Sequence, residues 1–307
     1  MEDYNKIIES LGIRFIKAKN IKIIKPIFIT NFYDVENRLI LLNKGEIYFG
    51  SDQAKVEQGE FLFIPGGKLI PITYGSKNAQ KINNEEYVSN KQKYLSSIKD
   101  LGSVGISDDS FSYITFDAKV FDTVNFFSSL DIPPFKISKN DTLHRNLMEI
   151  IKEQLSNNPG KERIISINTE RIVVEVIRYV IMNGLFVEQL ATNVTYFKDP
   201  RLIDIFAYIK NNLGGDLSNQ QLANVANVSE DYVGQYFKML TGINPQDYIE
   251  YQRMEAAVNL LRTTKFSIRE IGKQIGYKDT AYFCRRFKMM FGIPAGKMRR
   301  RETLINV

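Results

Sequence analysis

The hydrophobic period of the chain changes near residue 140, and the change separates two kinds of structure. Before it, residues 26 to 75 carry short apolar runs: PIFITNF, NRLILL, EIYFG, EFLFIP and LIPITYG. These runs are rich in β-branched and aromatic residues. Turn-forming groups separate them: Asn43-Lys44-Gly45, Gln58-Gly59 and Pro65-Gly66-Gly67. Closely spaced short strands of this kind predict an antiparallel sheet or a small barrel. Residues 76 to 110 are polar and weakly patterned. They read as an insertion with one helix around Glu85 to Ile98, before FSYITFD (111 to 117) returns as a strand.

Beyond the change, apolar residues recur at three- and four-residue steps, the helical period. Leu143, Leu147, Ile150, Ile151 and Leu155 share one face of a helix closed by Asn157-Asn158-Pro159-Gly160. A second helix is expected from about Asn168 to Leu190, with Ile172, Val173, Val176, Ile177, Val180 and Ile181 on a broad arc. An arc this wide is either deeply buried or shares its second face with a partner, which predicts a homodimer. Residues 191–199 read as a linker. Asp199-Pro200 then opens a helix, with Asp as N-cap and Pro at the first helical position, and Gly214-Gly215 ends it.

The pattern after Gly215 occurs twice. Ser218 with Gln221 reads as a capping box opening a short helix whose apolar face is Leu222, Val225 and Ala226. A turn follows, and Ser229 caps EDYVGQYFKML, ended by Gly242. In the second copy Ser267 and Glu270 form the box, Gly276 makes the turn, and Asp279 caps TAYFCRRFKMMF, ended by Gly292. Ser229, Phe237, Lys238 and Gly242 match Asp279, Phe287, Lys288 and Gly292 at a constant offset. Ser218 and Ser267 are one residue closer, so the turns differ by one residue. Two helices joined by a short turn make a helix-turn-helix, whose second helix enters the major groove of DNA. Between the copies, residues 246 to 262 form a helical segment of roughly 25 Å. That length suits two reading heads in successive major grooves on one face of the duplex.

Charge supports the same partner. The formal net charge is +6. From Arg201 to Val307 there are sixteen Lys and Arg against ten Asp and Glu, while the rest of the chain balances at 25 of each. A basic segment joined to a neutral one predicts an anionic partner for the basic segment, most simply double-stranded DNA. One cysteine, Cys284, allows no internal disulfide and no multi-cysteine zinc site. One histidine, His144, gives little material for a His-based metal site or triad. No metal, cofactor or catalytic constellation is therefore expected, and the chain does not read as an enzyme. The N-terminus MEDYNKIIES is no secretory signal. RIVVEVIRYVIMNGLF, interrupted by Glu175 and Arg178, is too short and too charged to span a bilayer. A cytoplasmic protein is the expectation.

At this point the resemblance becomes specific. The segment I-x-E-I-G-x-x-x-G-Y-x-D-x-x-Y-F-x-R-x-F-K, residues 268 to 288 read loosely, closely resembles the C-terminal signature of AraC/XylS-type transcription regulators. The run R-M-E-A-A-V-N-L-L from Arg253 resembles the bridging helix of that family. The match covers about residues 200 to 301. In layout, though not in motif, the sheet followed by two helices resembles the family's cupin-like effector and dimerisation domain. The resemblance thus implies an α+β N-terminal domain over 1–190, built as a small antiparallel β-barrel plus two helices. A linker over 191–199 and an all-α double helix-turn-helix domain over 200–307 follow. It further implies a sequence-specific regulator, a small-molecule effector in the N-terminal domain, homodimers, and RNA polymerase as a further partner. The alternative is an N-terminal domain that only dimerises or binds a protein.

By the same resemblance, the groove-facing positions are Thr280, Ala281, Cys284 and Arg285 in the second unit. In the first they are Asp231, Gly234, Gln235 and Lys238. Arg can bond guanine through two acceptors, Gln can read adenine, and Thr can meet a thymine methyl. Arg285 reads as a base contact, with a phosphate contact or a surface ion pair as alternatives. Arg286 and Lys288 read as phosphate contacts or surface charges. Phe283, Phe287 and Phe291 sit at helical spacing and read as core. Arg299, Arg300 and Arg301 either follow a phosphate strand or form a solvated tail. Cys284 reads as a small groove-facing residue in preference to a redox switch, and His144 as a surface residue. Departures from the family pattern are Gly272 for a usual Ala, Pro294 one position early with Ala295 in its place, and Met298 for a usual Tyr. Gly234 and Gln235 stand where larger or basic residues are common, which implies weaker base reading by the first unit.

Overall fold

The computed structural model describes residues 2–98, 108–120, 124–129, 132–187, 190, 200–241 and 244–299. Its contacts gather into two compact units. One comprises 12–119 and 125–187, the other 188–307 with the short segments 1–11 and 120–124. Among the described residues no helix is long and apolar enough to cross a membrane.

The first unit contains two open sheets. Helix α1 (Glu2–Glu9), grouped with the other unit, precedes the strands, which are β1 (Leu11–Ile23), β2 (Ile27–Tyr33), β3 (Asn37–Lys44), β4 (Ile47–Phe49), β5 (Ala54–Val56), β6 (Phe61–Ile64), β7 (Leu69–Tyr74), β8 (Gln80–Ile82), β9 (Leu95–Ile98), β10 (Ser110–Val120), β11 (Val124–Asn125) and β12 (Phe135–Ile137). One sheet runs β12-β6-β3-β10-β1-β9 with β11 on β10; the other runs β5-β4-β7-β2-β8. Neither returns to its first strand, so of the expected antiparallel sheet or small barrel the chain forms the sheet reading, as two open sheets. The reason lies in the connections: β2 and β4 belong to one sheet and β3 to the other. Asn43-Lys44-Gly45, with Gly45 at φ 92°, therefore carries the chain from sheet to sheet and does not close a hairpin. β3 pairs antiparallel with β10 and β6, and β7 pairs antiparallel with β2 and β4, whereas β2 and β8 are parallel. Ile40, Leu42, Leu62 and Ile64 of one sheet and Ile27, Ile47, Ile72 and Tyr74 of the other share one buried apolar core.

Two sequence expectations for this unit need correction. The long strand β1 is missing from the runs singled out above. Its signal is the alternation of Leu11, Ile13 and Phe15 around Arg14, diluted by Lys17, Lys19 and Lys22. The insertion contains a shorter helix than expected, α2 (Asn84–Asn90). Asn83 caps it by accepting from the Glu86 N–H at 2.8 Å, and Leu95–Ile98 pairs as a strand with β1.

The ion pair of Arg38 with Asp34 is buried in the first unit. The Arg38 guanidinium meets the Asp34 carboxylate, and it lies 4.6 Å from the Tyr113 ring centre and 5.1 Å from that of Phe32. Burial opposes the charge on Arg38, yet Asp34, with Tyr113, Tyr74 and Tyr87, outweighs it and raises the pKa. Burial pushes the Tyr74 phenol up to about 12.

After α3 (Phe126–Ser129), the unit continues in α4 (Asp141–Leu155) and α5 (Lys161–Met182), which pack on each other. α5 starts earlier than expected and stops sooner. Gly160 at φ 79° precedes it. At its end the Leu185 N–H reaches the Val180 carbonyl at 2.9 Å across left-handed Gly184. That is the termination geometry in which glycine carries the left-handed residue. The broad arc of α5 is core: Ile172, Val173, Val176, Ile177 and Val180 are buried within this unit. The apolar residues α5 exposes are Ile164, Ile167 and Met182, on its opposite side.

Candidate nucleic-acid interface

The second unit is helical: α6 (Pro200–Asn211), α7 (Asn219–Ala226), α8 (Glu230–Thr241), α9 (Pro245–Thr263), α10 (Ile268–Gln274) and α11 (Thr280–Phe291). Residues 295–299 are also helical. Pro200 opens α6 as expected, whereas Asp199 and Gly242 lie outside the described residues. Gly292, at φ 69°, closes α11, and its N–H reaches the Lys288 carbonyl at 2.8 Å.

Local capping explains where these helices begin. Ser267 and Glu270 form the full reciprocal box: Glu270 N–H to Ser267 Oγ at 3.1 Å, and Ser267 N–H to Glu270 Oε2 at 2.6 Å. The hydrogen bonds from Ser267 hold the Glu270 carboxyl below its ordinary range. The first copy differs from the box expected of it. The Ser218 hydroxyl accepts from the Gln221 N–H at 3.3 Å, but the Ser218 N–H donates to Asp216 Oδ1 at 2.9 Å. A carboxylate two residues upstream is a stronger acceptor than the Gln221 amide, and it takes that place. Bonding to Ser218 lowers the Asp216 pKa in turn. Ser229 and Asp279 cap α8 and α11 by accepting from the N–H groups of Tyr232 and Tyr282, at 3.3 and 2.5 Å.

These caps set two helices with their aromatic residues inward. Phe206, Phe237 and Tyr248 form a three-ring cluster that joins α6, α8 and α9, with centroids 5.1 to 5.6 Å apart. In the second copy, Phe283, Phe287 and Phe291 pack edge-on and tilted in series, with centroids 5.7 and 4.4 Å apart, and are fully buried, as their spacing predicts. Phe283 packs against α10 at Gly272, where an added Cβ would stand 3.2 Å from its ring. Glycine at this departure from the family pattern thus makes room for the ring. Met298, another departure, is buried.

The apolar side fixes what the other side presents. On α11, Ala281, Arg285 and Lys288 are exposed, and Thr280 and Cys284 are half-buried. Positions 280, 281, 284, 285 and 288 form one stripe, turned away from the Phe residues by the helical repeat. Arg285 lies 5.9 Å from the ring centre of exposed Tyr282. On α8, Asp231, Gln235 and Lys238 are exposed and occupy the equivalent stripe, with Gly234 between them. Arg286 stands apart. Its guanidinium turns back to α9 and grips both oxygens of the Glu250 carboxylate, with Nε to Oε1 at 2.5 Å. That bonding raises the Arg286 pKa. Arg299 donates to the Phe266 carbonyl at 2.5 Å, while Arg300 and Arg301 lie outside the described residues.

Sequence reasoning did not single out Glu250. Its partner is 36 residues away, and no local pattern marks such a pair. Arg253, one turn further along α9, lay inside the quoted bridging motif without a role. It donates from Nε to the Leu213 carbonyl at 2.9 Å and from Nη2 to the Gly215 carbonyl at 3.3 Å.

Comparison with known proteins agrees with this geometry. A family model described as a helix-turn-helix domain matches residues 222–301. The chain is 21% identical over 275 residues to an uncharacterized HTH-type transcriptional regulator of Haemophilus influenzae, covering 86% of each. It is 30% identical over 99 residues to the lactose operon transcription activator of Staphylococcus xylosus, covering 32% of this chain and 36% of that relative. The fold is similar to that of wild-type ToxT from Vibrio cholerae, solved with an unsaturated fatty acid bound. That likeness has a TM-score of 0.52 at 12% identity and covers 94% of this chain and 95% of the other.

Proposed function

The chain belongs to the AraC/XylS-type family of transcription regulators, and from that premise we propose that it reads its operator with α8 and α11 in successive major grooves. The supporting observation is the stripe on α11 beside the buried Phe face, with Ala281, Arg285 and Lys288 exposed along it. Exposed Arg285 and half-buried Thr280 have chemistry suited to base edges, and exposed Lys288 has chemistry suited to phosphate. α9, about 28 Å long at 1.5 Å per residue, is the spacer. On α8, Gln235 offers one adenine-reading group beside a glycine, so α8 contributes less to specificity. Selection of duplexes from a randomised pool by the full-length protein, followed by footprinting, tests this reading. Two protected major-groove segments one helical turn apart are expected. A single protected segment overturns the two-head reading.

We further propose that a small molecule held by the first unit controls DNA occupancy. ToxT, similar to this chain in fold, has been solved with an unsaturated fatty acid bound, and this chain's first unit has a cleft of about 700 Å³. Leu41, Leu42, Lys139 and His144 are among its lining residues, and its size is in the range of ligand sites. Homodimerisation is part of the same proposal, with exposed Ile164, Ile167 and Met182 of α5 as its contact face. Native mass spectrometry of the full chain tests both: the expected species is a dimer carrying a small ligand. A bare dimer favours a domain that only pairs subunits.

A further inference from the structure

The two helix-turn-helix units touch through more than the bridging helix. The loop after α6 meets the turn between α10 and α11 backbone to backbone. A Cβ added at Gly214 would stand 2.6 Å from the Gln274 carbonyl, and one added at Gly276 would stand 2.6 Å from the Leu213 carbonyl. Gly276 also holds φ at 91°, which disfavours any side chain. Arg253 reaches from α9 into this junction. It bonds the Leu213 and Gly215 carbonyls and lies 5.9 Å from the centre of the Tyr277 ring. Burial lowers the Arg253 pKa, with Tyr277 and Glu250 opposing that shift. One turn earlier on α9, Glu250 binds Arg286 of α11 and accepts from the Tyr277 hydroxyl at 3.4 Å.

We propose that Glu250 and Arg286 form a brace that fixes α11 in rotation and tilt relative to α9, so that the spacing of the two reading heads is set before DNA is met. The inference rests on the two-head reading above. Arg286 is then a positioning residue and does not contact DNA, although it sits on the recognition helix. The geometry carries this: a guanidinium gripped by both oxygens of one carboxylate has spent its paired donors. Releasing them to a phosphate would leave Glu250 facing the anionic backbone.

Two measurements on the full chain test it. In the first, spin labels at exposed Asn224 and Lys278, in a Cys284→Ser background, report the distribution of distances between the units in the free protein. Glu250→Gln and Arg286→Gln should each broaden that distribution, and the reversed pair, Glu250→Arg with Arg286→Glu, should narrow it again. This readout needs no DNA, so it stands even if the DNA reading fails. In the second, affinity is measured for the selected duplex and for the same duplex with one base pair inserted between the two protected segments. The ratio of the two cancels effects of overall charge. Each single variant should flatten it by on the order of tenfold, and the reversed pair should restore it. Melting by circular dichroism confirms that each variant is folded, and if a Gln variant is not, the reversed pair alone decides. An unchanged distance distribution overturns the brace. So does an Arg286→Gln salt slope lower by about one phosphate contact.

Discussion

The first helix-turn-helix unit and the second share a plan and differ in how firmly it is held. Both bury a Phe at the equivalent position, Phe237 and Phe287, and both start their recognition helix from an oxygen cap. The second unit adds a complete capping box, left-handed Gly276 in its turn, and the Glu250–Arg286 brace. The first has half a box completed by Asp216, a left-handed Asn227, and Gly234 in the middle of α8. The comparison teaches that two copies of one motif need not be held alike: the second has a full capping box and an ion pair to α9, and it carries Arg285 where the first has Gln235.

The largest expected effect checks the shared part of the plan. Phe237→Ala and Phe287→Ala should each cost about 3–5 kcal/mol in denaturant unfolding, because each removes a fully buried ring from an aromatic cluster. Clearly unequal losses would break the view that the two cores are equivalent. Next comes DNA affinity. Arg285→Ala should cost about 1–3 kcal/mol on the selected duplex and relax specificity in its half-site, and Gln235→Ala should cost less. Equal losses on selected and random DNA would reduce Arg285 to a phosphate contact.

Capping gives smaller effects. Ser267→Ala and Ser218→Ala should each cost about 1 kcal/mol. Acid separates the two caps chemically. The Asp216 and Glu270 carboxyls are both held below their ordinary pKa, so their contributions are present at neutral pH and fade as pH falls through the lowered folded-state values. Glu270→Gln should remove the second unit's share of that acid sensitivity and leave Asp216's, measured by melting from neutral pH downward. The smallest effect is also the sharpest contrast. Gly234→Ala should stabilise by about 0.5–1 kcal/mol, because the nearest neighbour to an added Cβ is the Asn219 Nδ2 at 3.9 Å. Gly272→Ala should bring no such gain, since its Cβ would press on Phe283.

Some features of the molecule were fixed by residues close together in the chain. Helical period, Ser and Asp caps, Pro200 and Gly292 placed the helices of the C-terminal unit within a few residues. The spacing of Phe283, Phe287 and Phe291 determined which side of α11 faces inward and therefore which side faces out. These are local signals, because a cap or a helical stripe acts within a few residues of itself. Other features depended on partners far apart in sequence. Whether the strands close into a barrel was decided by which of them pair, and β3 takes β6 and β10 as neighbours instead of β2 or β4. Whether the α5 arc is core or interface was decided by what covers it. Which acid Arg286 pairs with was decided by the fold, since Glu250 is 36 residues away. Composition and periodicity give a side chain's character and the face it lies on. Only the folded chain supplies the neighbour that uses it, because charge pairing, sheet order and burial are properties of proximity in space.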